Sequence, residues 1–180
     1  VPAFAHLNPD EHGSFIAGVS HPLFGMDHVL AMIAVGLWAA LLGGRAVWLV
    51  PSAFVGTMCF GFAAALLDLP LPFVEPAILA SVVVIGLLAA VALNVPTGFA
   101  MMLVGFFALF HGHAHGGELG AATALPYGIG FAVSTALLHA AGIATGAGLG
   151  RTLGRDTGRF ATRLAGGATA LAGLWLVIAG

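Results

Sequence analysis

Six apolar runs, at residues 23–42, 47–67, 74–93, 98–110, 126–149 and 160–178, are separated by short stretches in which Gly, Pro, His and Arg gather. All but the fourth are long enough for an α-helix to cross the roughly 30 Å hydrocarbon core of a bilayer. None alternates apolar with polar residues, so membrane strands are excluded. The pattern predicts an all-α integral membrane protein with six transmembrane helices. The fourth run is too short: its 13 residues make about 20 Å of helix. Its helix is therefore expected to continue through His111 to His115 at membrane depth. A short, Gly-interrupted polar segment there is tolerated inside the protein or beside a wet cavity, and in transporters it points to a site.

Composition agrees with the pattern. Of 180 residues, 60% are hydrophobic and 7% charged, and the mean hydropathy of +1.08 excludes both disorder and an ordinary soluble globule. Six spans leave about 60 residues for an amino-terminal stretch and loops, too few for a catalytic domain outside the membrane. The net charge of −2 favours neither nucleic acid nor an anionic surface. The five basic residues are all Arg, so the chain has no Lys from which to build a Walker A loop. ATP hydrolysis by that route is excluded. The single Cys59 can form no internal disulfide.

Charge placement predicts sidedness. Arg45, Arg151, Arg155, Arg159 and Arg163 all fall in the first and fifth loops, which the positive-inside rule makes cytoplasmic. Asp68, Glu75, the 111–120 cluster and both termini then belong on the periplasmic side of an inner membrane. Two parts are expected: residues 1–20, a signal-peptide remnant and a periplasmic His/Asp tail, and residues 21–180, a six-helix permease domain. Within the first part, Ala3-Phe4-Ala5 has the small-x-small form that signal peptidase cuts, making His6 the mature amino terminus. The alternative is that residues 1–5 are a ragged start. His6 with Asp10 and His12 can chelate an ion, or the tail is merely solvated.

Eight His in so short a chain stand out. On a helix of 3.6 residues per turn, His115 lies about 40° and Glu118 about 20° from His111, so the three make one stripe able to hold a divalent cation. His113 points the other way. Near the start of the first span, His28 follows His21 by seven residues and is expected almost above it on one face, with Asp27 beside them as a ligand or as the acceptor of a ligand's second ring N–H. A carboxylate inside the bilayer costs about 2.5 to 3.5 kcal/mol unless it has a partner. Structural roles, as a helix cap for Asp27 and as helix-to-helix hydrogen bonds for the histidines, are the alternatives. His139, midway along the fifth span, is read first as a helix contact and second as an ion relay. Gly142, Gly146 and Gly150 predict close helix packing.

His21-x5-Asp27-His28 together with Phe110-His111-Gly112-x-Ala114-His115-Gly116-x-Glu118 resembles the two signature motifs of the HupE/UreJ family of bacterial nickel permeases. The resemblance implies nickel uptake serving hydrogenase or urease, and a requirement for His21, Asp27, His28, His111, His115 and Glu118. Glu75 matches a further family carboxylate. His113 fills a variable motif position; with His6, Asp10, His12, Glu75 and His139 it forms an accessory set. The expected function is therefore uptake of a divalent transition metal without ATP and without a prosthetic group. Imidazole and carboxylate suit Ni2+, Co2+, Zn2+ or Cu2+ alike, and nickel comes from the resemblance. The alternative is an intramembrane zinc-dependent hydrolase, in which the same ligands activate water.

Overall fold

The computed structural model describes residues 14–117, 119 and 122–179, with the helical backbone of residues 9–13. Its elements are α1 (Pro9–Phe24), α2 (Met26–Leu42), α3 (Ala46–Leu66), α4 (Val74–Val91), α5 (Thr97–Gly117), α6 (Ala124–Leu153) and α7 (Arg155–Ala179). Helices α3 to α7 are each long and apolar enough to cross a membrane, and the 14–24 part of α1 joins α2 as one further span bent by 83°. The chain is thus all-helical, with five or six spans.

Two expectations change. The stretch read as a polar tail is helical from Pro9 onward, and its α1 packs against α6. The histidine-bearing first span is not one straight helix, because it breaks at Gly25. Pro22 lacks the N–H that an uninterrupted helix would use, and Gly25 adopts an extended conformation (φ −87°, ψ 108°). His21 therefore sits on α1 while Asp27 and His28 open α2. The Arg-rich stretch 151–163, expected as a loop, is helical on both sides of Gly154, whose φ of +83° marks the turn. Arg is a good helix former whose long stem lets the charge reach water, so helix outlasts hydrophobicity here.

The core is apolar, built on Met32, Leu37, Trp38, Phe54 and Ile85, but the bundle also buries polar groups and exposes large apolar ones. His28, His111, His115, His139, Ser81 and Thr135 are buried, whereas Trp48, Phe60, Phe106, Leu137 and Trp175 are exposed on the outside. Without water at mid-membrane, polar groups gain by facing inward and apolar ones lose nothing by facing lipid.

Glycines bring the helices close. A methyl group on Gly112 would overlap the Met58 carbonyl, one on Gly61 the Leu109 carbonyl, and one on Gly116 would lie 2.6 Å from the Phe62 carbonyl oxygen, so α3 and α5 touch backbone to backbone. Gly36 and Gly142 do the same for α2 and α6, and Gly18 and Gly130 for α1 and α6. Of the predicted Gly142, Gly146 and Gly150 stripe, the first two are used: Gly142 meets α2 and Gly146 lies against Ala40, whereas a methyl group on Gly150 would meet open space and the tight position there is Gly158 of α7. In bilayers, where apolar burial drives little association, such contacts carry much of the packing.

Candidate metal centre

The break at Gly25 and the unbroken helix α5 build one histidine cluster. Helix α5 continues through Gly117, 21 residues in all, so His111 and His115 stay helical as expected. With Gly112 and Gly116 turned to α3, these two rings face α1 and α2. The ring of His28 lies 4.7 Å from that of His111 and 4.4 Å from that of His115, centre to centre; His21 reaches His115 at 4.7 Å. Four imidazoles from three helices thus touch edge to face. His21 lies half-buried at the rim, next to Tyr127 of α6, and His28, His115 and His111 are progressively deeper, at 7%, 2% and 0% exposed.

Hydrogen bonds fix two of the tautomers. Asp27 Oδ1 accepts from the His28 backbone N–H at 2.8 Å and lies 3.0 Å from His28 Nδ1. A carboxylate can only accept, so Nδ1 carries the proton and Nε2 is left with its lone pair. The Ser81 hydroxyl donates its one proton to the Ile78 carbonyl at 2.6 Å and stands 2.9 Å from His111 Nε2. His111 Nε2–H must then donate to Ser81, and His111 Nδ1 keeps a lone pair. Neither His28 Nε2, His111 Nδ1 nor either nitrogen of His115 has a hydrogen-bond partner among the described residues. Buried polar atoms are nearly always paired, so this concentration of bare imidazole nitrogens needs an explanation. An acceptor on one ring nitrogen, which leaves the other with its lone pair, is how proteins prepare histidine for a metal.

The donor chemistry fits a borderline divalent ion: neutral imidazoles with one carboxylate alongside. The rings nevertheless pack on one another, and among the described residues no three His, Cys, Asp or Glu already stand in a coordinating arrangement. Ligation at about 2.0 to 2.1 Å requires these rings to swing apart so that their lone pairs converge.

Of the other expected residues, Glu118 and His6 lie outside the described residues, and Asp10 and His12 fall on α1 with side chains outside them. His113 turns away, its Nε2–H donating to the Leu69 carbonyl at 2.8 Å. Glu75 is exposed in the first turn of α4. His139 is buried on α6, its ring 5.0 Å from that of Phe54, which in turn lies 5.5 Å from His111. Sequence reasoning missed Ser81, although a hydroxyl in an otherwise apolar run, 76–93, is itself a signal of an interior contact. It also missed Phe131, which covers His115 at 4.0 Å, and Phe54; nothing sets these two aromatics apart in an apolar sequence. The glycines of the second motif have a packing role against α3, at Gly112 and Gly116.

Comparison with known proteins agrees with the motifs. The family described as HupE / UreJ protein matches residues 1–176. Protein HupE of Rhizobium leguminosarum bv. viciae is 45% identical over 180 residues, covering 99% of this chain and 92% of that protein. No solved structure matches. Two motifs, their convergence in space and a match over nearly the whole length place the chain in the HupE/UreJ family.

Proposed function

We propose that the chain is an inner-membrane permease for a divalent transition metal, nickel by family, taking the ion from the periplasmic side through the cluster of His21, Asp27, His28, His111 and His115, with Glu118 completing the ligand set. Family membership supports a nickel or cobalt transport role in general and disfavours the zinc hydrolase. The resemblance links the ion to hydrogenase or urease. The observation that carries the site is the set of buried imidazoles, with unpartnered ring nitrogens among the described residues, that pack together where α2 begins beside α5. The arginines, all near the opposite ends of α2, α6 and α7, support a cytoplasmic orientation for that end. Both termini then face the periplasm.

No nucleotide is needed for the driving force. A membrane potential of 100 mV is worth about 2.3 kcal/mol per charge, hence about 4.6 kcal/mol for a divalent ion. At about 1.4 kcal/mol per decade, that supports on the order of a thousandfold accumulation. The test is Ni2+ uptake into proteoliposomes under an imposed potential. His28→Ala and His115→Ala should each reduce initial uptake at least about tenfold. A wild-type chain that moves no divalent metal, or variants that move it at the wild-type rate, would refute the assignment.

A further inference from the structure

We infer that His139 is a second ion station, deeper on the same path than the cluster that receives the metal. The inference rests on the permease reading and extends it to a residue outside both family motifs. Five of the buried or half-buried histidines follow one another inward: His21, His115 with His28, His111, and then His139 beyond the Phe54 ring. The depth can be measured along α2. Gly36 sits against the His139 carbonyl and is eight residues beyond His28, or about 12 Å of helix. Helix α6 starts beside the cluster, where Tyr127 meets His21, and the Cα–Cβ bond of a helical residue tilts toward the helix amino terminus. His139 is therefore aimed back toward the cluster.

A histidine that only joined two helices would hold a hydrogen bond. His139 is 1% exposed, and neither Nδ1 nor Nε2 has a partner among the described residues. A further polar group lies between His139 and the outer cluster. Thr135, one turn earlier on the same face of α6, is fully buried, and its hydroxyl donates to the Met58 sulfur at 3.6 Å. Imidazole suits a partly dehydrated divalent transition metal, the ion proposed for the outer cluster, and the Thr135 hydroxyl adds an oxygen along the way. A lone imidazole holds such an ion loosely, as a transit point must if the ion is to leave.

The test uses the full chain and Ni2+ itself. In a Cys59→Ser background, His139→Cys places a thiol at the station. Titration with Ni2+ should then raise a sulfur-to-nickel charge-transfer band in the near ultraviolet, which the Cys59→Ser parent lacks. His139→Leu fills the volume without a donor, and its proteoliposome uptake should fall by about tenfold or more while Ni2+ still binds the outer cluster. Should His139→Leu not fold, the thiolate band decides. No band in His139→Cys, or parental uptake by His139→Leu, overturns the station. Failure of the permease reading is seen separately, in a parent that takes up no Ni2+.

Discussion

The two helices that carry the motifs hold their histidines in different ways. Helix α5 is continuous through His111 and His115 and is clamped to α3 by Gly61, Gly112 and Gly116. Its neighbour is interrupted: His21 and His28 lie on separate helices joined at Gly25 with an 83° bend. One wall of the site is thus a single continuous rod, fixed along its length. The other is hinged at Gly25: α1 and α2 are each anchored to α6, by Gly18 with Gly130 and by Gly36 with Gly142, but they are separate helices. Since the rings must separate to ligate an ion, the break between the two anchored helices is the point where that wall can give way.

The comparison can be broken at the fixed wall first. In Gly112→Val the added side chain must displace the Met58 carbonyl, so α3 and α5 separate. Overpacking of this kind costs about 1 to 3 kcal/mol or more, and both melting temperature and Ni2+ uptake should drop sharply. Unchanged melting would show that the clamp is not structural. On the hinged wall, Asp27→Asn keeps the shape but removes the carboxylate that sets the His28 tautomer. Equilibrium Ni2+ binding should weaken about 10- to 100-fold with little change in melting. The smallest effect belongs to Ser81→Ala, which releases the His111 ring while the backbone clamp still holds its helix. Here a loss of about tenfold in Ni2+ affinity is expected, and a loss as large as that of Asp27→Asn would erase the distinction between the walls.

Much of this architecture was legible in the chain. The six apolar runs are helical over most of their length, the first interrupted at Gly25, and the shortness of 98–110 correctly forced α5 onward to His115. The convergence of His21, Asp27 and His28 with His111 and His115 followed from motifs on two spans. What escaped were features that hydropathy does not encode. Helix α1 is short and mixes Phe15 and Ile16 with Ser14 and Ser20, so it reads as a tail until α6 offers Gly130 for it to pack on. The break at Gly25 was hidden because Pro22 is equally at home in the first turn of a helix as in the last turn before a break. Vertical alignment of His21 over His28 was wrong in geometry for that reason, yet both rings still reach His115, since the bend folds α1 back over the cluster. The tautomers depended on Ser81, 30 residues away in sequence, which no local pattern could pair with His111.

The interruption at Gly25 has an electrostatic consequence. A helix that starts inside the protein presents unsatisfied N–H groups equivalent to about half a positive charge, so α2 directs a repulsive macrodipole end at the place a cation would enter. Helix α5 ends nearby and contributes the opposite pole through its last carbonyls. Asp27, in the first turn of α2, places a full negative charge against the repulsive pole and already binds one of its orphan N–H groups. The same carboxylate therefore serves two ends: it makes a discontinuous helix tolerable in the bilayer and, under the proposed function, would turn its amino terminus from a barrier into a landing point for a dication.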